Sequence, residues 1–280
     1  MTAVKSCILL LVSILLTACY SYKPALIHSP KFEEGGEVNL GATVGNNLGA
    51  TVSVSPVKHL AILADYSSGI SYENEYTESN SYNQNNIQVY SYEVKDESLQ
   101  MALGGYWKYD NELSQSFYTG LSKGSIAARS PENSYLSSIS SFPEDLEAFQ
   151  GNYEGFFLQS SLQIQLKENL LSLDAKYNVL RFNTFEYVYR KRSETVFIPS
   201  QEEVYRNYFS NKAQHLLQVG ATFHQQLDLL SFFAQAQFAI DINELSSKPS
   251  YTVDYFMNRP FSIYVGLSLP VHKLWNRQAE

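Results

Sequence analysis

The sequence predicts an all-β fold, a single closed antiparallel up-and-down transmembrane β-barrel of about ten strands. Three observations predict it: an export signal at the amino terminus, period-two alternation along the chain, and connections that alternate short and long. Composition agrees. Of 280 residues, 21 are Tyr and 16 Phe, while only 17% are charged, which excludes disorder, coiled coil and collagen-like structure. Lys and Arg number 20 against 28 Asp and Glu, a net charge of −8 that speaks against a nucleic-acid partner. The 2 cysteines both fall in the N-terminal targeting region and make no disulfide framework.

Lys5 precedes an apolar run from Ile8 to Leu16, the grammar of a secretory signal and too short to span a bilayer. Leu16-Thr17-Ala18-Cys19 closes the run and resembles the lipobox of bacterial lipoproteins. The resemblance implies cleavage before Cys19 and acylation of its thiol. Tyr20, not Asp, follows, which by the same resemblance favours the outer membrane over inner-membrane retention. The expected organisation is a signal peptide over 1–18, a lipidated tether over 19–35 and the barrel over 36–280.

Ten strands follow in order, over 36–44, 48–55, 60–72, 97–107, 115–129, 152–166, 170–182, 212–223, 229–243 and 260–270. The first two are short and joined at Asn46-Asn47, residues that tolerate a tight hairpin. Pro56 to His59 makes the next turn. The fifth strand is the weakest, because Phe117, Leu121 and Lys123 share a parity. The sixth is the clearest: Phe156, Leu158, Leu162, Ile164 and Leu166 fall on one face, and Gln159, Ser161, Gln163 and Gln165 on the other. In the seventh, Leu171, Leu173, Ala175, Tyr177 and Val179 alternate with Ser172, Asp174, Lys176 and Asn178. The ninth and tenth repeat the pattern. From the third strand on, long loops (73–96, 130–151, 183–211, 244–259) alternate with short turns (108–114, 167–169, 224–228).

Alternation carries no sign of its own. A soluble barrel turns its apolar face inward, and a transmembrane barrel turns it to lipid. Strand length favours the membrane, since ten residues at about 3.3 Å each, tilted about 40°, span roughly 25 Å. Aromatics near the strand ends suit interfacial girdles: Trp107 and Phe223 at the short-turn end, Tyr72, Phe156 and Phe261 at the other. The polar face holds Glu37, Asp65, Asp174, Lys176 and Asp241, a set that a dry core could not bury without extensive pairing.

The lipobox, Ser21-Tyr22-Lys23-Pro24, the opening Gly36-Glu37-Val38-Asn39-Leu40-Gly41 and the segment Ser55-Pro56-Val57-Lys58-His59-Leu60-Ala61-Ile62 are similar to outer-membrane β-barrel lipoproteins of Gram-negative bacteria. The motifs cover the N-terminal third, and the rest agrees in pattern. The resemblance implies a fold and a location, and it transfers no catalytic residue.

No chemistry-bearing constellation emerges, so neither enzyme, metal nor cofactor is expected. His28, His59, His215, His224 and His272 show no ligand spacing. Four of them map to the short-turn end, and His215 to the lipid-facing parity. Asp174 and Lys176 read as a charge-paired plug in a narrow lumen. Arg190-Lys191-Arg192 reads as a solvated or lipopolysaccharide-facing patch. The Tyr-rich, acidic loop 73–96 is either an exposed hairpin extension or a surface for an extracellular ligand or protein. Partners are thus outer-membrane lipids, at the wall and through Cys19, with long loops extracellular. The expected function is a structural or binding barrel lipoprotein of the outer membrane with a side-chain-filled polar lumen. A small pore or transport barrel, and a periplasmic lipid-anchored barrel for an apolar ligand, stand as alternatives.

Overall fold

The alternation becomes ten strands in the computed structural model, which describes residues 26–45, 47–81, 84–129, 146–190, 213–227, 230–242 and 261–273. They are β1 (Glu37–Gly45), β2 (Leu48–Val57), β3 (Leu60–Ser81), β4 (Gln84–Lys108), β5 (Leu113–Arg129), β6 (Leu146–Leu166), β7 (Asn169–Arg190), β8 (Gln214–Gln226), β9 (Ser231–Asp241) and β10 (Phe261–Pro270). Each pairs antiparallel with its neighbours in sequence. β1 also pairs with β10, from Asn39↔Pro270 to Gly45↔Tyr264, so the sheet closes on itself. Closure pairs every strand on both sides, which is what a backbone in hydrocarbon requires.

Strand boundaries match expectation to within three residues at the short-turn end, and at the other end β3, β4, β6 and β7 overrun it. β3 and β4 pair without interruption to Ser81↔Gln84, so most of the expected loop 73–96 is a strand hairpin. β7 continues to Arg190 and β6 begins at Leu146, shortening two more expected loops. The stretches 73–81 and 84–96 contain neither Pro nor Gly, and Tyr76, Thr77, Ile87, Val89, Tyr90, Tyr92 and Val94 within them are good strand formers. They are polar at both parities, so no alternation marks them. The wall is therefore uneven: β3 to β7 run 17–25 residues, against 9–13 for the other strands.

β5 forms in full. Phe117, Leu121 and Lys123 all lie on its outer face, and Lys123 meets Glu154 of β6 there at 3.5 Å. The short turns use left-handed backbone at His59 (φ 70) and Lys167 (φ 56). Gly120 faces inward, where an added Cβ would lie 2.6 Å from the ring of Phe157; its absence lets that ring fill the lumen.

The structure supplies the sign of the alternation. Leu173 is 47% exposed, while its neighbours Ser172 and Asp174 are 0% and 4% exposed. The same holds around the barrel. Leu40, Val52, Ile62, Leu103, Phe117, Leu158, Val219 and Val265 face out; Ser53, Gln100, Ser161, Gln218, Gln235 and Ser262 face in and are buried. Trp107, in edge contact with Phe117, and Phe223 project outward toward the short turns, while Phe156, expected at the long-loop end, projects outward from the middle of β6. An apolar outer wall around a polar interior is stable in a bilayer and not in water. This polarity overturns the alternative of a soluble barrel with an apolar interior. One part of the lumen departs from the polar expectation: Ala61, Leu63, Ala102, Tyr118 and Phe157 face inward and pack around Phe32.

Candidate functional site: a lumen closed by the N-terminal segment

Residues 26–34, expected as part of a tether outside the barrel, lie inside it. Leu26, Ile27, His28, Ser29 and Phe32 are buried. Alternation marks only strands, so a single extended segment with no periodicity gave no sign of packing into a lumen. Its local sequence, Leu-Ile-His-Ser-Pro-Lys-Phe, nonetheless offers apolar anchors at both ends and polar groups between.

The lumen receives those groups one by one. The Gln235 carboxamide accepts from the Ile27 backbone N–H at 3.2 Å and donates to its carbonyl at 2.8 Å, as a neighbouring strand would. Gln159 donates to the His28 carbonyl at 2.7 Å, and Gln163 to the Ser29 carbonyl at 3.0 Å. The Ser29 hydroxyl donates to Asp174 at 2.6 Å and lies 2.5 Å from the Ser161 hydroxyl. The backbone of an unpaired segment thus finds partners that its own conformation cannot supply. At the mouth, Tyr106 donates to the Glu34 carbonyl at 3.0 Å, and the Phe32 ring packs 5.5 Å from the Tyr106 ring.

Asp174 and Lys176 are both buried, as expected, but they do not pair with each other; among the described residues no salt bridge joins them. They are strand neighbours of Ser161 and Gln159. Asp174 accepts from Ser172 at 2.7 Å and from Thr222 at 3.0 Å, besides Ser29. Lys176 donates to Gln100 and sits 4.2 Å over the Phe157 ring. Each charge is held by neutral dipoles or a π-face, because strand register sets their heights in the lumen apart. Asn47, in the β1–β2 turn, donates to Asp96 at 2.5 Å; Asn46 lies outside the described residues. Asp65 also projects inward, with one carboxylate oxygen buried and unpartnered.

A cavity of about 130 Å³ opens at the short-turn end, lined among others by His28, Lys31, Glu37, His224 and His272. It has room for several waters. The Nε2 atoms of His28 and His224 are buried without a protein partner. Three of five histidines therefore converge, which their sequence spacing did not suggest, since β8, the segment after β10 and the luminal segment meet only through barrel closure. Among the described residues no three His, Cys, Asp or Glu side chains assemble as a metal site would need. Glu37 is occupied by the backbone N–H groups of Glu33 and Glu34, at 3.1 and 2.8 Å. Lys31 hydrogen-bonds and ion-pairs with Glu33 at 2.8 Å, which holds the Glu33 carboxyl below its usual range. His59 contacts the Tyr106 carbonyl through Nδ1 at 2.9 Å, and His215, on the outer face, meets the Tyr177 hydroxyl at 2.5 Å. Among the described residues no acid hydrogen-bonds to either histidine, as a catalytic pair would require. Cys19, Lys191, Arg192 and the side chains of Tyr72, Arg190 and Asp241 lie outside the described residues.

No family model matches the chain, and no curated protein matches it. Among solved structures, the chain is similar to the outer membrane protease OmpT from Escherichia coli, at 9% identity and TM-score 0.46 over 84% of this chain and 94% of that one. It is similar to the translocator domain of the autotransporter NalP from Neisseria meningitidis, at 10% identity and TM-score 0.41 over 83% and 85%. A third is a major outer membrane protein from Thermus thermophilus, at 9% identity and TM-score 0.35 over 83% and 97%. At these scores nothing of their activities passes to this chain, whose architecture rests on its own strand pairing.

Proposed function

We propose that this chain is an outer-membrane β-barrel lipoprotein of a Gram-negative bacterium, with a structural or binding role and a lumen closed by its own N-terminal segment. The observation that carries this reading is the luminal seating of residues 26–34 inside a wall that is apolar outside and polar within. A filled lumen makes a standing pore the weaker reading, and ten strands already sit near the narrow end of barrel sizes. The sequence at Leu16-Thr17-Ala18-Cys19 supports a lipid anchor. Several acyl chains on Cys19 give a stable anchor where a single chain would be reversible. Binding, where it occurs, falls to the long-loop end, where β3 to β7 carry the wall highest.

Three measurements on membrane fractions test this. The chain should co-sediment with outer membrane, run at different gel mobility when heated, and yield an N-terminal peptide beginning at acylated Cys19. Cys19→Ala should abolish the acyl mass and leave the signal uncut at that bond. A mature N-terminus elsewhere, free of lipid, would remove the lipoprotein reading while leaving the barrel untouched.

A further inference from the structure

The luminal segment leans to one side of the barrel. Its carbonyls and the Ser29 hydroxyl meet β6, and Phe32 packs with Tyr106 of β4 and Tyr118 of β5. The cavity of about 130 Å³ lies on its other side, walled by residues of β1, β7, β8, β9 and β10. Two imidazoles stand in that wall, His28 from the segment and His224 from β8. Among the described residues nothing hydrogen-bonds to Nε2 of either, and His28 is only 9% exposed. The His224 ring lies 5.5 Å from the ring of Phe233, an apolar neighbour.

The charged groups facing the two rings are engaged elsewhere or are themselves cations. Lys31 and Lys273 are the cations of the cavity wall, and Glu33 and Glu37 its acids. Glu33 is held by Lys31, and Glu37 by two backbone N–H groups. From β7, Lys176 turns to Gln100, while Asp174 accepts from Ser29, Ser172 and Thr222. His272 gives its Nδ1–H to the Val38 carbonyl at 3.4 Å. β6, β9 and β10 present neutral groups, Gln159, Ser231 and Ser268 among them. With both imidazoles neutral, the formal charges of the wall cancel. A proton on either ring adds a positive charge for which the protein offers no acceptor, a costly arrangement away from bulk water. A small anion in the cavity supplies that acceptor, through charge-assisted hydrogen bonds about twice as strong as neutral ones. The volume suits an anion that displaces a few waters.

We propose that this cavity binds a small anion of the carboxylate or phosphate class, taken up together with protons on His28 and His224. Besides the surface that the high wall offers at the long-loop end, the barrel then has a small-ligand site at the opposite mouth. The site does not depend on the lipid anchor. Because the anion bridges the segment to β8, its binding also tightens the plug. Binding strengthens as pH falls, since the unliganded cavity disfavours the protonated rings and the liganded one favours them.

Isothermal titration calorimetry of the full chain, refolded in detergent, tests this with sodium acetate and with sodium phosphate at constant ionic strength. Affinity for acetate, which stays charged over the range, should rise about tenfold or more between pH 7.0 and 5.5. Heats in two buffers of different ionisation enthalpy should show net proton uptake. His28→Gln and His224→Gln should each weaken acetate binding about tenfold and reduce that uptake, with heat-modifiable mobility retained. Lys273→Gln, at an exposed side chain, guards against a variant that unseats the segment, and should weaken binding while leaving proton uptake intact. Tighter binding of phosphate than of acetate at pH 5.5 assigns the phosphate class, and the reverse the carboxylate class. Absence of saturable heat from both anions, or pH dependence and proton uptake that persist when both histidines are Gln, overturns the proposal.

Discussion

Excision of residues 26–34 should convert a silent barrel into a conducting one. In planar bilayers the full chain should show no stepwise current, and the excised chain should show discrete open levels. The lumen that remains is lined by Gln100, Gln159, Gln163, Asp174, Gln218 and Gln235, polar groups that water can solvate once the segment is gone. The segment's hydrogen bonds to Gln159, Gln163, Asp174 and Gln235 are each worth about 1 kcal/mol net, so its loss weakens the barrel without removing the closed strand ladder. Loss of the Phe32 ring from its apolar cluster adds about 3–5 kcal/mol, as for other buried aromatics. A gentler variant guards against misfolding. Ser29→Asp places a second carboxylate against Asp174, where the native hydroxyl donates at 2.6 Å, and should produce intermittent opening. Silence of both variants, with heat-modifiable mobility retained, would show that something other than the segment closes the lumen.

Leu173→Arg should cost about 2–4 kcal/mol in refolding into lipid vesicles, the cost of a cation on the lipid face near the bilayer midplane. Leu173 lies four residues into β7 from its short-turn end at Asn169, exposed on the outer wall. Ser172→Ala, one residue away and facing in, removes a hydroxyl that donates to Asp174 at 2.7 Å, at about 0.5–1.5 kcal/mol. Ala is the substitution of choice because Ser172 is fully buried and a large side chain there would clash whichever face meets lipid. Comparable losses at the two sites would contradict the assigned faces.

The strands were legible because a half-buried strand imposes period two on its residues, and Phe156–Leu166 and Leu171–Val179 obey it closely. Their count and order followed from turn spacing. Three features escaped. The β3–β4 hairpin beyond Tyr72 stands where neither face is sorted by polarity, so its strand character lies in composition rather than in period. The luminal seating of 26–34 depends on Gln235 and Gln159, 208 and 131 residues away in sequence, and no local signal reports such partners. The separate fates of Asp174 and Lys176 follow from register: two residues apart on one strand, they face Ser161 and Gln159, and their partners come from other walls. Sequence spacing thus identified the charges as luminal and misjudged what neutralises them. The histidines were placed at the short-turn end, but that His28, His224 and His272 line one cavity there depends on barrel closure and not on their spacing.

The sidedness of the wall is read most directly by a nitroxide scan of β7 from Leu170 to Tyr177, one label at a time, in the chain refolded into lipid vesicles. Collision rates with oxygen, which concentrates in hydrocarbon, and with a water-soluble nickel chelate report what each position faces. A period of two is expected. Labels at Leu171, Leu173, Ala175 and Tyr177 should be relaxed by oxygen, and labels at Leu170, Ser172, Asp174 and Lys176 should be shielded from it. Oxygen access at the second set, or nickel access at the first, would contradict a barrel with lipid outside and a plugged polar lumen within.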